Sequence, residues 1–167
     1  AQVSYILDKM PGKIAEIFHL NSVSGEVSIL KSLDYEDAMF YEIKIEAQDG
    51  PGLLSRAKIL VTVLDVNDNA PEITITSLTS SVPEEGTVGR EIALIDVHDR
   101  DSGQNGQVEV FVLGNLPFKL EKSIDQYYRL VTATSLDREQ ISEYNISLRA
   151  SDGGSPPLST ETHITLH

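Results

Sequence analysis

Hydrophobic and polar residues alternate along several short segments of the chain, as they do in half-buried β-strands. The alternation is clearest in FYEIKIEAQDG (40–50) and in EYNISLRASDG (143–153). The apolar positions are Tyr41, Ile43, Ile45 and Ala47 in the first segment and Tyr144, Ile146, Leu148 and Ala150 in the second. Residues 57–66 and 90–99 are rich in valine and isoleucine and predict two further strands. Because no segment of helical length has a 3.6-residue period, the pattern predicts an all-β fold of the antiparallel Greek-key sandwich type.

The same pattern occurs twice in the chain. SLDYEDAMFYEIKIEAQDG (32–50) aligns without a gap on SLDREQISEYNISLRASDG (135–153). Upstream of these segments, AQVSYIL (1–7) aligns on GQVEVFV (106–112). The repeat is about 100 residues long, well above the roughly 20–50 residues of solenoid repeats. The sequence therefore predicts two sandwich domains in tandem, at 1–66 and 72–167, joined by a linker at 67–71.

The first copy is shorter than the second at its start. The second copy has about 35 residues, enough for two strands, between the linker and GQVEVFV, whereas the first copy begins at AQVSYIL. A sandwich without these strands would expose apolar edges. We therefore expect the opening strands of the first copy to exist in the protein and to be missing only from this sequence.

Composition excludes several functions. The chain of 167 residues carries a net charge of −13, which argues against binding to nucleic acids and to anionic membrane surfaces. It has no cysteine, so that disulfide scaffolds and thiolate metal sites are excluded, although an extracellular location is not. No apolar stretch reaches the roughly 18–20 residues that span a bilayer, and the first residues are not typical of a signal peptide.

Acidic residues are concentrated where the two copies meet. The segment LDVNDNAPEI (64–73) places two aspartates and two asparagines next to the predicted linker. Turns between antiparallel strands gather at the ends of a sandwich, so we expect the linker to lie close to seven carboxylates: Asp34, Glu36, Asp65, Asp68, Asp99, Asp101 and Asp152. At about 4–6 Å each like-charge pair costs on the order of 3–4 kcal/mol at an effective dielectric near 20. Such a cluster is favourable only around multivalent cations, and hard oxygen ligands without histidine or cysteine favour Ca²⁺.

These motifs resemble those of a known family. LDVNDNAP is similar to the linker signature of cadherin extracellular repeats, and LDRE, DRDSGQN and ASDG are similar to its companion motifs. The resemblance covers the whole chain in the family's order and spacing. LDYED, FYE and DGPGL, followed by LPFKLEK and YYRL, most resemble the third and fourth repeats of a clustered protocadherin of the gamma-A type.

The resemblance implies three Ca²⁺ ions at the linker. Side chains of the implied ligand set are Asp34, Glu36, Asn67, Asp68, Asp99, Asp101 and Asp152, and main-chain oxygens come from Val66, Asn69 and Asn105. In the family pattern Glu36 and Asp68 each touch two ions, and Asp65 orients the linker without binding an ion. One further family ligand, a glutamate on the opening strand of the first copy, has no counterpart in this sequence, and its loss would weaken two of the sites.

Other matching residues have roles elsewhere. Asp49 resembles a ligand of the preceding linker, and Glu84, Asp137 and Glu139 resemble ligands of the following one. In this chain alone we expect them to be solvated and without metal, or to hold a single loose ion. Asn145, in the triplet NIS, is a candidate N-glycosylation site on the polar face of a strand.

The resemblance implies calcium-dependent homophilic adhesion. The partner would be an identical chain on an apposed cell, bound as an antiparallel trans dimer through the first four repeats. The protein would be extracellular and anchored by a single pass in the plasma membrane through regions outside this sequence. Neither a nucleic acid nor a small-molecule substrate is expected. The specificity-determining residues are not visible in the sequence, and the least motif-like segments, 9–13 and 78–81, are candidate surfaces.

Two other functions are open at this point. The repeats could form a passive calcium-stiffened stalk that makes no recognition contacts. Paired carboxylates could also belong to a glycosidase. Against catalysis, the acids recur in both copies and lie at domain ends, and no nucleophile is paired with a base. We therefore expect the chain not to be an enzyme.

Overall fold

The computed structural model describes residues 2–8, 12–83 and 86–167, and it divides into two compact units, Ala1–Asp65 (unit 1) and Val66–His167 (unit 2). The elements of unit 1 are β1 (Val3–Leu7), α1 (Gly12–Ile17), β2 (Phe18–Leu20), β3 (Val27–Ile29), β4 (Phe40–Asp49) and β5 (Leu54–Thr62). Those of unit 2 are β6 (Glu72–Leu78), β7 (Glu91–His98), β8 (Val108–Leu113), β9 (Phe118–Lys122), β10 (Tyr127–Thr132), β11 (Tyr144–Asp152) and β12 (Ser159–Leu166). The predicted all-β fold is confirmed. The predicted domain and linker boundaries at residues 66 and 71 remain predictions.

Unit 2 is a sandwich of two antiparallel sheets. One sheet has the strand order β6-β7-β10-β9 and the other β12-β11-β8. Residues on β11 alternate between the two sides of their sheet, so that Ile146, Leu148 and Ala150 are fully buried while Asn145 and Arg149 are exposed. This alternation produces one apolar core between the sheets.

Unit 1 repeats part of this topology. Its three-stranded sheet has the order β1-β4-β5, which corresponds to β8-β11-β12, and its two-stranded sheet β2-β3 corresponds to β9-β10. Strands equivalent to β6 and β7 are absent among the residues described in unit 1. The open side of β3 leaves Ile29 and Leu30 more than half exposed.

The cores of the two units share an aromatic pair. In unit 1 Phe18 meets Tyr41 edge-to-face at a ring-centroid distance of 5.3 Å, and in unit 2 Phe118 meets Tyr144 at 5.2 Å. Such pairs contribute about 0.5–1.5 kcal/mol beyond the burial of their surface. The same contact in both units supports the internal repeat that the sequence predicts.

Two local features differ from the sequence-based expectations. β5 begins at Leu54 and ends at Thr62, so the strand expected over 57–66 starts three residues earlier and ends four residues earlier, and the chain leaves the sheet before Asp65. The helix α1 was not expected, because its six residues are fewer than two turns and too few to show a helical period. Within the described residues no helix is long and apolar enough to cross a membrane.

Candidate metal centre

The chain enters unit 2 beside the strand ends that carry four of the predicted ligands, Asp99, Asp101, Asn105 and Asp152. Glu72, the first residue of β6, lies opposite His98, the last residue of β7, in the antiparallel register. Asp99 and Asp101 directly follow β7, and Asp152 is the last residue of β11. The strand ends therefore place these three aspartates at the end of unit 2 that receives the linker.

The three aspartates converge in space. One carboxylate oxygen from each of Asp99, Asp101 and Asp152 lies within 4.8 Å of the other two. Asp101 and Asp152 are buried and Asp99 is half-buried. Burial raises the pKa of Asp99 above its ordinary value, and the charges of Asp101 and Asp152 raise it further, although a hydrogen bond from the Asp101 backbone opposes the shift. The carboxylates are thus crowded and partly desolvated, which is unfavourable for three negative charges without a cation.

Two of these aspartates, Asp99 and Asp152, and the linker residue Asn67 each have one side-chain atom that is hydrogen-bonded and one buried oxygen that is not. Asp152 Oδ1 accepts the N–H groups of Gly154 and Leu158 at 3.0 and 2.9 Å. Asp99 Oδ1 accepts the N–H of Asp101 at 2.9 Å. In contrast, Asp99 Oδ2, Asp152 Oδ2 and Asn67 Oδ1 are buried and accept no hydrogen bond from the part of the chain that the structure describes.

Buried oxygens without partners are rare in proteins, because each one loses its hydration without compensation. The three here are all hard oxygens, and no histidine or cysteine stands among them. This donor set fits Ca²⁺, which takes six to eight oxygen ligands and supplies the missing interaction for every one of them. The residues present at this end of unit 2 therefore fit the cation that the sequence predicts.

The linker asparagines and aspartate lie against this cluster. Asn69 donates its backbone N–H to Asp101 Oδ2 at 3.1 Å and its side-chain amide to Asp101 Oδ1 and Asp68 Oδ1. The carbonyl of Val66 accepts the N–H of Asp68 at 2.9 Å. Asn105 is half-buried in the loop between β7 and β8. Carboxylate and carbonyl oxygens have more than one lone pair, so these hydrogen bonds are compatible with the predicted ligand roles.

Unit 1 carries its own acidic turn at the end where the chain leaves. Asp34 Oδ1 accepts the N–H of Glu36 at 3.0 Å, which fixes the LDYE loop as an Asx turn. The N–H of Val63, just beyond β5, donates to the carbonyl of Met39, just before β4. Asp34 and Glu36 therefore share with the exit of β5 one end of unit 1, and the half-buried Asp65 follows that exit.

Three of the remaining predicted ligands, Asp49, Asp137 and Glu139, lie at the opposite ends of their units. Asp49 ends β4, a strand of ten residues, and Asp137 precedes β11, a strand of nine. At about 3.3 Å per residue these strands separate the two ends by roughly 30 Å. Asp137 repeats the turn of Asp34, since its Oδ1 accepts the N–H of Glu139 at 2.9 Å. Glu84 lies outside the described residues.

Asn145 lies where the sequence predicts, on the exposed side of β11. Its side-chain oxygen accepts the hydroxyl of Thr165 at 2.9 Å, and its amide donates to Glu143. The serine of the triplet, Ser147, hydrogen-bonds His163 at 2.9 Å. The asparagine is accessible, and its glycosylation remains a prediction.

Sequence reasoning missed the contribution of the turn after β11. The carbonyl of Pro156 accepts the side-chain amide of Asn67 at 2.9 Å, although the two residues are 89 positions apart. A Cβ atom on Gly154 would collide with that same amide. The Gly-Gly doublet after Asp152 is the one sequence feature that could have indicated a close approach here.

Comparison with known proteins places this arrangement in a family. The family model described as "Cadherin domain" matches residues 78–167. The chain is 99% identical over 167 residues to protocadherin gamma-A3 of Pan troglodytes, of which it covers 18%. It thus spans under a fifth of the length of this relative.

Solved structures give the same result. The extracellular cadherin domains 1–5 of protocadherin gamma B2 match all of this chain, which covers 32% of that chain, with a TM-score of 0.98 and 44% identity. The cis-dimer structure of protocadherin gamma B7 EC3-6 matches with a TM-score of 0.94 and 43% identity, over all of this chain and 40% of that one.

These relatives are adhesion proteins and not enzymes, in agreement with the prediction from the sequence. They also confirm the resemblance to clustered protocadherins of the gamma-A type. Which repeats of the longer protein the two units represent remains a prediction. The relatives described above are protocadherins, and the chain belongs to the cadherin family.

Proposed function

We propose that the chain is a segment of an extracellular adhesion protein in which Ca²⁺ binds at the linker and orders it, and in which the sandwich faces recognise an identical chain on an apposed cell. The observation that carries the calcium part is the convergence of the carboxylates of Asp99, Asp101 and Asp152 at the end of unit 2 that receives the linker. Buried oxygens of Asp99, Asp152 and the linker residue Asn67 accept no hydrogen bond within the described part of the chain.

The proposed ligands hold the linker from several sides. Asn67 and Asp68 belong to the linker itself, Asp99 and Asp101 lie in the loop after β7, and Asp152 ends β11. From unit 1 we propose Asp34 and Glu36, with Val66, Asn69 and Asn105 supplying main-chain oxygens. When bound, Ca²⁺ neutralises these carboxylates and joins segments that otherwise repel one another. As in the sequence-based prediction, three ions are expected.

An ordered linker favours adhesion through entropy. Two units on a flexible joint lose orientational freedom when a partner binds, and that loss subtracts from affinity. If the linker is ordered before the partner binds, the recognition surfaces of the units are presented in one arrangement, and this loss of freedom is not charged to binding. Calcium is therefore required for recognition even though the recognition surface itself lies elsewhere.

One exposed sheet surface favours recognition over a passive stalk. The outer face of unit 1 is the solvent side of the β1-β4-β5 sheet, and four apolar residues on it are about half exposed or more: Ile6, Phe40, Leu54 and Leu60. The alignment of the two copies and the cross-strand register identify their counterparts in unit 2 as Phe111, Glu143, Ser159 and Thr165. Three of the four positions are thus polar in unit 2. An apolar surface that only one copy retains is typical of a binding site.

Charges on the same face suit a partner with an identical surface. Arg56 pairs with Glu46 at 3.0 Å and Lys58 with Glu42 at 3.6 Å, and the two basic side chains are about 70% exposed. A hollow of about 320 Å³ lies beside them and includes Lys44. Exposed pairs contribute only about 0–1 kcal/mol. They can therefore exchange for equivalent pairs with a second copy at little cost, and a face with both signs of charge can complement itself.

The other candidate surfaces remain predictions. Of the segment 9–13, residues 9–11 lie outside the described residues. The segment 78–81 begins at the last residue of β6, Leu78, which is exposed.

Cell aggregation tests the proposal. Cells displaying the whole ectodomain with Phe40→Glu and Leu60→Thr, the unit 2 residues at these positions, should no longer aggregate in calcium. Ile124→Thr, which alters an exposed apolar residue in unit 2, is the matched control and should leave aggregation intact. Normal aggregation of the double variant would favour the passive stalk. Aggregation of the wild-type protein in chelator would contradict the requirement for calcium.

A further inference from the structure

Asn67 has its side-chain amide fixed by two acceptors. Its Nδ2 donates to the carbonyl of Pro156 at 2.9 Å and to Asp152 Oδ1 at 3.1 Å. A carbonyl and an ionised carboxylate can only accept, so the nitrogen of the amide must face them. The oxygen then faces the other way, where it is buried and accepts no hydrogen bond within the described part of the chain.

The two acceptors are themselves held by the turn from Asp152 to Leu158. Asp152 Oδ1 also accepts the N–H groups of Gly154 and Leu158, so that the turn closes around this oxygen. Gly154 lies so close to Asn67 that any side chain at position 154 would collide with the amide. The turn thus forms a clamp, defined here as Asp152 Oδ1, Gly154 and the carbonyl of Pro156, which fits an amide nitrogen.

We propose that this clamp sets the orientation of Asn67 before a cation binds, and that position 67 therefore requires an amide and not a carboxylate. This inference rests on the proposed binding of Ca²⁺ at the linker. It predicts that Asn67→Asp weakens Ca²⁺ binding although it adds a negative charge next to the site.

The sign of this effect separates the proposal from simple electrostatics. Through charge alone, a further carboxylate strengthens the attraction for a divalent cation. At position 67, however, the second carboxylate oxygen would face the carbonyl of Pro156 and Asp152 Oδ1 without any hydrogen atom between them. Two lost hydrogen bonds and the added repulsion outweigh the gain, and the side chain must leave the clamp.

Calorimetric titration of the whole chain with CaCl₂ tests the proposal. Asn67→Asp and Asn67→Ala should each weaken binding at the affected site by about tenfold or more, a change that corresponds to the loss of one to two good hydrogen bonds. Asn145→Asp makes the same chemical change on the exposed side of β11 and should leave the affinity unchanged. If Asn67→Asp binds Ca²⁺ as tightly as the wild type or more tightly, the proposal is wrong.

A second measurement does not depend on calcium. In chelator, the side-chain NH₂ of Asn67 should exchange with solvent at least about tenfold more slowly than that of Asn145, because only the former is clamped on two acceptors. Equal exchange rates would show that the amide is not fixed in advance and would contradict the proposal. A wild-type chain that does not bind Ca²⁺ at all would instead overturn the proposed function, while slow exchange at Asn67 would still support the clamp.

Discussion

Asp99, which follows β7, and Asp152, which ends β11, place carboxylate oxygens within 4.8 Å of each other, and each has a buried oxygen without a hydrogen bond among the described residues. At an effective dielectric near 20, two such charges repel by on the order of 3 kcal/mol. The repulsion is a property of the calcium-free chain. It makes the effect of substitutions here depend on whether Ca²⁺ is present.

Asp99→Asn should therefore change stability with opposite signs in the two conditions. The amide oxygen can still accept the N–H of Asp101, while the repulsion from Asp101 and Asp152 disappears. In chelator we expect the free energy of unfolding of the variant to rise by about 1 kcal/mol. In millimolar calcium it should fall below that of the wild type, because one ligand has lost its charge. Denaturant unfolding with and without EDTA measures both values.

Asp125→Asn is the control for this experiment. Asp125 is exposed in the turn before β10, and asparagine tolerates its positive φ of 54° as well as aspartate does. The difference in free energy of unfolding between Asp125→Asn and the wild type should be the same in calcium and in EDTA. A variant at Asp99 that is destabilised equally in both conditions would contradict the account of the cluster.

Gly154→Ala tests how closely the turn after β11 fits the amide of Asn67. The new methyl group would occupy the position of the amide nitrogen and displace the side chain. We expect Ca²⁺ affinity to fall by about fivefold or more. Gly50→Ala is the matched control, since a Cβ at Gly50 meets nothing within 4 Å. Unchanged affinity of Gly154→Ala in a calcium titration would mean that the turn can move aside without effect on the site.

Much of the fold could be predicted because the chain carries its pattern twice. The alternation around Ile43 recurs around Ile146, and both side chains are fully buried at equivalent places in equivalent sheets. Aligning the copies also indicated which strands unit 1 lacks. Periodicity could not reveal α1, which is too short, or the end of β5 at Thr62, because Val63 and Leu64 continue the apolar composition after the strand has ended.

The candidate site was predictable in its residue types but not in its hydrogen bonds. The sequence indicates that Asp99, Asp101 and Asp152 lie at or just after strand ends, and strand ends gather at the ends of a sandwich. It cannot show which oxygen of Asp152 accepts hydrogen bonds from the turn and which oxygen remains without a hydrogen bond. That division depends on Gly154 and Leu158, whose N–H groups reach the carboxylate only when the turn has closed.

Charged residues on the outer surface of the β6-β7-β10-β9 sheet predict that stability depends on pH in a way unrelated to calcium. A hydrogen bond and the charge of Lys119 hold the pKa of Glu121 below its ordinary value of 4.5, with a smaller contribution from Arg129. Because the folded-state pKa is depressed, the stability that this pair contributes is present above the unfolded-state value and is lost as the pH falls through the folded-state pKa.

Lys119→Met should therefore raise the pKa of Glu121 towards 4.5, and an NMR titration of its side-chain carboxyl measures the shift. Lys122→Met is the control, because Lys122 lies over the ring of Tyr128 instead. An unchanged pKa of Glu121 in Lys119→Met would show that the contact at 3.0 Å is not populated in solution.

Removal of calcium should expose the linker to proteases. If Ca²⁺ orders the linker, EDTA should increase cleavage between Asp65 and Pro71, because proteases require an unfolded segment. Asp68→Ala should increase this cleavage in calcium more than Asp65→Ala does, since Asp68 is proposed to touch two ions and Asp65 none. Limited proteolysis followed by mass spectrometry locates the cut. Identical cleavage with and without EDTA would contradict the proposed ordering of the linker.

The central claim is that the acids at the entrance of unit 2 form a calcium site, and diffraction from crystals of this chain grown in millimolar CaCl₂ tests it most directly. The account predicts anomalous density for calcium in contact with Asn67 Oδ1, Asp99 Oδ2 and Asp152 Oδ2, at the roughly 2.3–2.6 Å typical of calcium–oxygen bonds. Water alone at these three oxygens, with the carboxylates turned outward, would contradict it.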